Sequence, residues 1–368
     1  MGDSVLFLIR RIRCQRLALF AALCLVVIPG VAQKAPPSQP LFDSDEILAA
    51  TLKLPMRALL AGQSEGEGPL VGEFLIGARG ADERAFTVEI SKRGHSRLQL
   101  CDMPPLKLNF KSSELDGTLL ANQNKLKLVT HCLDDQKFER YLQLEYAIYR
   151  SYNALTDESF RVRQLEVTYV DLDGWFGNKT RPAFLIEADP LLARRLGYTE
   201  VELPEVERAT LDPLALTRVG LFQYLIGNTD WSILQGRGSD PCCHNGLLLE
   251  KPSGERVIVP YDFDQAGLID AYYALPAEGL GLRSVRERLF RGLCTGDERL
   301  AATIELFNAR RAQIEDLYPL SGRMKKTNKR ALRYIDEFYN TINDPEELAA
   351  QVSSRCRGDA ALWAAQER

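Results

Sequence analysis

The chain has 368 residues, with 46 Lys plus Arg against 50 Asp plus Glu and a formal net charge of −4. So even a balance excludes a nucleic-acid-binding or polybasic membrane-binding role, since each needs a concentrated positive field. The length suffices for one large domain or two lobes with a sizeable core.

In chain order, residues 1–32 carry the pattern of a cleaved export signal. Arg10, Arg11, Arg13 and Arg16 form a basic region, Leu17 to Ile28 an apolar run too short to span a bilayer comfortably, and Gly30 and Ala32 the small residues of a cleavage site near Ala32. The expected setting is therefore secreted or periplasmic, with no membrane span once the signal is removed. Cys14 and Cys24 belong to that segment and leave Cys101, Cys132, Cys242, Cys243, Cys294 and Cys356. An even set in an exported chain predicts disulfides. Cys101 and Cys132, in neighbouring strand-like runs, are the first expected pair; at least one of Cys242 and Cys243 is expected to reach Cys294 or Cys356. With no CxxC and few histidines, the cysteines do not read as a zinc site.

Residues 33–66 read as a Pro-rich spacer followed by a helix over about 43–62. From 67 to 189 the texture is β: FLIGA, AFTVEIS, RLQLC, LKLNF and KLKLVTHC are short, alternating runs, and RQLEVTYVD and RPAFLIEAD follow. Between them, Tyr141, Leu144, Ile148, Tyr152 and Leu155 recur at helical spacing over 135–155. Residues 190–368 read as mainly helical, with an apolar helix over about 212–226, a strand-and-loop region over 227–271, and three amphipathic helices. Thr295 to Glu298 reads as a capping box, and Asp344-Pro345-Glu346-Glu347 as an N-cap with Pro at N1. The expected class is α+β, with a β-rich N-terminal lobe and a mainly helical C-terminal lobe.

Two acidic motifs stand out in the C-terminal part. Gly227-Asn228-Thr229-Asp230-Trp231-Ser232 ends the apolar helix, and Tyr261-Asp262-Phe263-Asp264-Gln265-Ala266-Gly267 follows the run RVIVP; His244-Asn245 lies between them. Phosphoryl transfer needs a divalent ion held by oxygen ligands and a carboxylate to orient the nucleophile. Asp262, Asp264 and Asn245 are the right ligand types for Mg or Mn, and Asp230, on a separate loop, is placed to accept a hydroxyl proton. Trp231 and Tyr261 read as packing around the carboxylates, and His131 and His244 as ordinary polar contacts, His244 being notable for adjoining Asn245.

The GNTD, HN and YDFD segments together resemble the active-site segments of atypical kinases of the HipA and CotH type. The resemblance implies a bilobal protein-kinase-like fold and transfer of phosphate from Mg-ATP to a hydroxyl on a protein or carbohydrate acceptor. It implies Asp230 as the catalytic aspartate, Asn245 as the catalytic-loop asparagine and Asp262 as the metal-binding aspartate, with Asp264 close behind. It also implies a nucleotide lysine at Lys127 (or Lys125, on the same strand face) fixed by Glu145 on the next helix. Arg93-Gly94 resembles an element of CotH-like N-terminal lobes, and FLIEAD (184–189) falls where the hinge would be. The gap from Asp230 to Asn245 is longer than that pattern has, and Gly77 and Gly80 are the only suggestion of a phosphate loop. Three other readings stand beside it: an inactive kinase-fold binding or structural protein of the cell envelope, metal-dependent hydrolysis, and a structural Ca²⁺ or plain turn role for the YDFD carboxylates.

Overall fold

The structure, a computed structural model, describes residues 39–358 apart from 61–67, 78–82, 95, 176 and 239. The expected signal segment with its cleavage point near Ala32, most of the Pro-rich spacer and Gly80 lie outside the described residues.

The N-terminal half is a closed barrel. Its strands are β1 (Leu48–Leu54), β2 (Leu70–Gly77), β3 (Arg84–Lys92), β4 (Leu106–Phe110), β5 (Lys125–Val129), β6 (Val162–Asp171) and β7 (Lys179–Glu187). They run β1-β2-β3-β4-β5-β7-β6 around the wall. Every pairing is antiparallel except the closing one, in which β6 lies parallel to β1 from Leu48↔Leu165 to Leu54↔Asp171. Period-two alternation sends one face of each strand inward: Leu48, Ala50, Leu52 and Leu54 of β1 and Leu106, Leu108 and Phe110 of β4 are all buried.

This closure corrects the fold expected from the kinase resemblance. The N-terminal lobe of a HipA-, CotH- or protein-kinase-like fold is an open twisted sheet with two edges, whereas the β1–β6 ladder here leaves none. The chain is β-rich first and helical afterwards, but it is not a bilobal kinase fold. The phosphotransferase reading, in its active and inactive kinase-fold forms, falls with it.

Two local expectations also fail. Residues 48–54 (LAATLKL), expected within a helix, form β1; a short helix, α1 (Met56–Leu60), follows. RLQLC, expected as a strand, lies largely in another short helix, α2 (Ser96–Leu100).

The expected helix over 135–155 is α3 (Gln136–Leu155), capped by Asp135, whose carboxylate accepts the Lys137 backbone N–H at 2.8 Å. After α4 (Asp189–Leu196) and the two-residue β8 (Thr199–Glu200) comes α5 (Pro213–Ile226), with Asp212 as N-cap and Pro213 opening the first turn. Then β9 (Gly246–Glu250) and β10 (Arg256–Pro260) form a hairpin that β8 extends to three strands. The chain closes with α6 (Asp297–Glu315), α7 (Lys325–Asn343) and α8 (Pro345–Gln351). Asp344 caps α8 as expected, its side chain accepting from Glu346 and Glu347. The Thr295 capping box does not form, because the Thr295 hydroxyl is bonded to Thr217 of α5 at 2.5 Å.

Cys101 and Cys132 are joined, as expected; Cys242 and Cys243 are bonded to each other, leaving Cys294 to pair with Cys356. Among the described residues, no helix is long and apolar enough to cross a membrane.

Candidate functional site

α5 is mostly buried because it packs through the core of the helical half, and it stops at Gly227 in the left-handed conformation (φ 64°). A side chain there would meet the Tyr334 hydroxyl at 1.9 Å, so the position requires glycine twice over. Past the glycine, the Asn228 side chain accepts the Asp230 N–H at 2.9 Å and the Trp231 indole donates to the Asn228 carbonyl at 3.1 Å. Trp231 is buried, as expected of a packing residue. The two acidic motifs are stitched together by their backbones: Gly267 N–H donates to the Gly227 carbonyl at 3.1 Å, and Leu268 N–H to that of Ile226 at 3.0 Å.

Asp230 is held from two sides. Its Oδ1 lies 2.8 Å from His244 Nε2, and the Asn245 amide donates to its carbonyl at 2.7 Å and to its Oδ2 at 3.2 Å. The Tyr261 N–H donates to the Asn245 carbonyl at 3.1 Å, which sets Asp262 immediately beyond, where its own N–H donates to the Tyr149 hydroxyl at 3.0 Å. Asn245 and Asp262 both adopt positive φ, 53° and 59°. Asn and Asp are the non-glycine residues that accept this conformation most readily, and such positions concentrate at functional sites.

The electrostatics push the two aspartates apart. Burial by itself would raise Asp230, but the hydrogen bond and charge of His244, followed by Arg237 and Asn245, outweigh it and hold the carboxyl below its usual range. Asp262 moves the other way. Burial and the neighbouring Asp264 raise it, Arg97 and Arg93 oppose, and Asp230 adds to the rise. Asp262 is nonetheless partly open, with its side chain 47% exposed.

Behind Asp262 the charge is compensated by a residue that sequence reasoning missed. Arg97, on α2, reaches from the barrel half into the helical half. Its Nη2 donates to Glu145 Oε2 at 2.8 Å and its Nε to Asp264 Oδ2 at 2.9 Å, and Nη2 stands 3.8 Å from Asp262 Oδ1. Burial pushes Glu145 up to about 7, with Arg97 opposing and the two aspartates reinforcing. Burial would lower Arg97, but Asp264 and Glu145 more than offset it.

Glu145 therefore pairs with Arg97, and Lys127 has a different partner. Its ammonium bonds Asp189 Oδ1 at 2.5 Å and lies over the rings of Phe160 and Tyr261 at 5.0 and 5.4 Å. Lys125 on the same strand is exposed. The FLIEAD segment supplies the end of β7 and Asp189 at the start of α4.

The donor set does not suit a resident Mg or Mn ion. The cation between Asp262 and Asp264 is the Arg97 guanidinium, the Asn245 amide is turned to Asp230, and among the described residues no group of three or more His, Cys, Asp or Glu could hold a metal. No family model matches the chain, and no curated protein is similar enough to match it. What the arrangement offers is acid–base chemistry: a partly exposed carboxylate fixed by an imidazole and an amide and shifted downward, and a second carboxyl, Asp262, shifted upward.

Proposed function

We propose that the two joined loops carrying Asp230 and Asp262 form an acid–base site acting on a water or alcohol nucleophile, with Asp230 as proton acceptor and Asp262 as the group that holds a proton. The observation that carries this is the fixed geometry of Asp230, whose carboxylate lies 2.8 Å from His244 Nε2, accepts the Asn245 amide at 3.2 Å and stays 29% exposed; the shifts, Asp230 down and Asp262 up, agree with it. A pair of titratable groups driven apart by their surroundings is how one site supplies a base and an acid at the same pH. His244 and Asn245 act as positioning residues: they fix the Asp230 carboxylate and leave it partly open, 29% exposed on its side chain. The three disulfides support an extracytoplasmic setting, secreted or periplasmic, as the expected signal segment does.

The test is a panel of activated ester, glycoside and amide substrates, assayed with the native chain and with Asp230→Asn. A general base contributes roughly 100-fold or more, so the variant should lose at least that on whichever class is turned over. Its circular dichroism should be unchanged. The native rate should persist on the acid side to below the ordinary carboxylate range, because the Asp230 pKa is lowered. A second reading, ligand binding without chemistry, is favoured by the way Arg97 fills the acidic floor. Native and variant chains that behave alike across the panel decide for that second reading.

A further inference from the structure

A separate groove lies where the first turns of α3, the loop after Asp264 and the start of α7 meet. Its volume is about 120 Å³, room for a tetrahedral oxyanion with a few waters. Lys137 and Arg140 enter from α3, Arg286 from the loop and Arg330 from α7; Asp270 is the one carboxylate among the lining residues, and Thr327 adds a hydroxyl. Asp270 is already divided between two of the cations, at 2.9 Å from Arg330 and 3.7 Å from Arg286. Lys137 lies over the Tyr272 ring at 4.6 Å and 3.7 Å from Asp135, outside the groove lining. Arg140, half-buried, makes no hydrogen bond or ion pair among the described residues.

We propose that this groove binds a multivalent oxyanion, a phosphate or sulfate group. Four cations face one carboxylate in one small concavity, and Asp135 beside Lys137 offsets one more, leaving an excess of two positive charges. Like charges held this close repel unless an anion sits among them. Two of the four guanidinium and ammonium groups, Arg140 and Lys137, have no carboxylate within the groove, and a guanidinium fork matches the paired oxygens of phosphate or sulfate. The chain as a whole is net acidic, so this local excess runs against its overall charge.

The experiment is a thermal-shift titration of the full chain with inorganic phosphate and, in a separate arm, sulfate, with ionic strength held constant by sodium chloride. The native chain should show a saturable rise in Tm that chloride does not reproduce. Arg140→Gln, which breaks no hydrogen bond or ion pair among the described residues, should weaken the apparent affinity about tenfold, as expected for loss of a charged hydrogen-bond donor, and Arg140→Gln/Arg330→Gln should abolish the shift. Asp230→Asn should keep the full response, which separates this site from the acid–base site. The two arms decide which of the anions is preferred. An unsaturable shift, no shift, or an equal shift in the double variant overturns the proposal.

Discussion

The barrel and the buried charge cluster around Arg97 solve the same problem, a buried interior, with opposite chemistry. Inside the barrel the packing is aliphatic and aromatic: Leu52, Phe74, Val88, Leu106, Leu128 and Val167 meet with little or no solvent contact. In the cluster, Glu145 and Asp264 are almost as deeply buried, yet each is charged or titratable and rests on Arg97. Burial of apolar area is additive and tolerant of exchange among residues of similar size. A buried ion cluster is neither, because each member has lost its water and depends on the others. The first arrangement makes a stable wall, and the second keeps carboxylates poised near Asp262.

The largest effect expected from this contrast is at Arg97. Arg97→Ala leaves Glu145 and Asp264 buried without their cation, and breaking a buried pair in this way costs about 3–5 kcal/mol. The loss should grow with pH. Glu145 has a folded-state pKa raised to about 7, so the native state binds more protons than the unfolded one above the ordinary glutamate range, and stability falls as pH rises toward 7. Removing Arg97, which opposes that rise, carries the window higher. Urea unfolding at pH 5 and pH 8 measures it: the variant should lose more at pH 8, and an equal loss at both would break the contrast between the two interiors.

Leu52→Ala in the barrel wall should come next, at about 2–5 kcal/mol for a fully buried leucine. This loss should be the same at pH 5 and pH 8, since the neighbouring core side chains do not titrate in that range. The pair of variants thus separates a cavity from an uncompensated charge by the slope of stability against pH alone.

Much of this was legible in the sequence, and the failures have physical causes. Strands β2 to β7 announce themselves by alternation, α3 by apolar residues at helical spacing and α5 by its apolar run. The residues LAATLKL mislead because Ala and Leu are strong helix formers, while their place in the wall is set by pairing with β2 and with β6 more than 100 positions away. Alternation tells which face of a strand is buried but not which strand lies beside it, so closure through β1 and β6 left no local mark. The motifs around Asp230 and Asp262 stood out by their carboxylate and amide residue types, and the backbones of the two segments do meet. Arg97 was missed because a cation on a short segment beside Cys101 carries no signature of the carboxylates it will reach. His244 did have a signal, its place next to Asn245, which becomes meaningful once Asp230 is seen between the two side chains.

The smallest effect sharpens the same comparison from inside the barrel. Tyr169, on β6, is fully buried there, and its hydroxyl has no hydrogen-bond partner among the described residues. The ring contributes packing, with His131 at 5.7 Å between centroids, but the oxygen has been taken from water with no protein group in exchange. A buried polar atom in that position costs about 1–3 kcal/mol in desolvation, and replacing it by hydrogen removes the cost while keeping the shape. Tyr169→Phe should therefore leave stability unchanged or raise it by up to about 1 kcal/mol, at pH 5 and pH 8 alike. A clear destabilisation would mean that the hydroxyl is anchored after all, and that the barrel, like the charge cluster, carries a polar contact on which its packing depends.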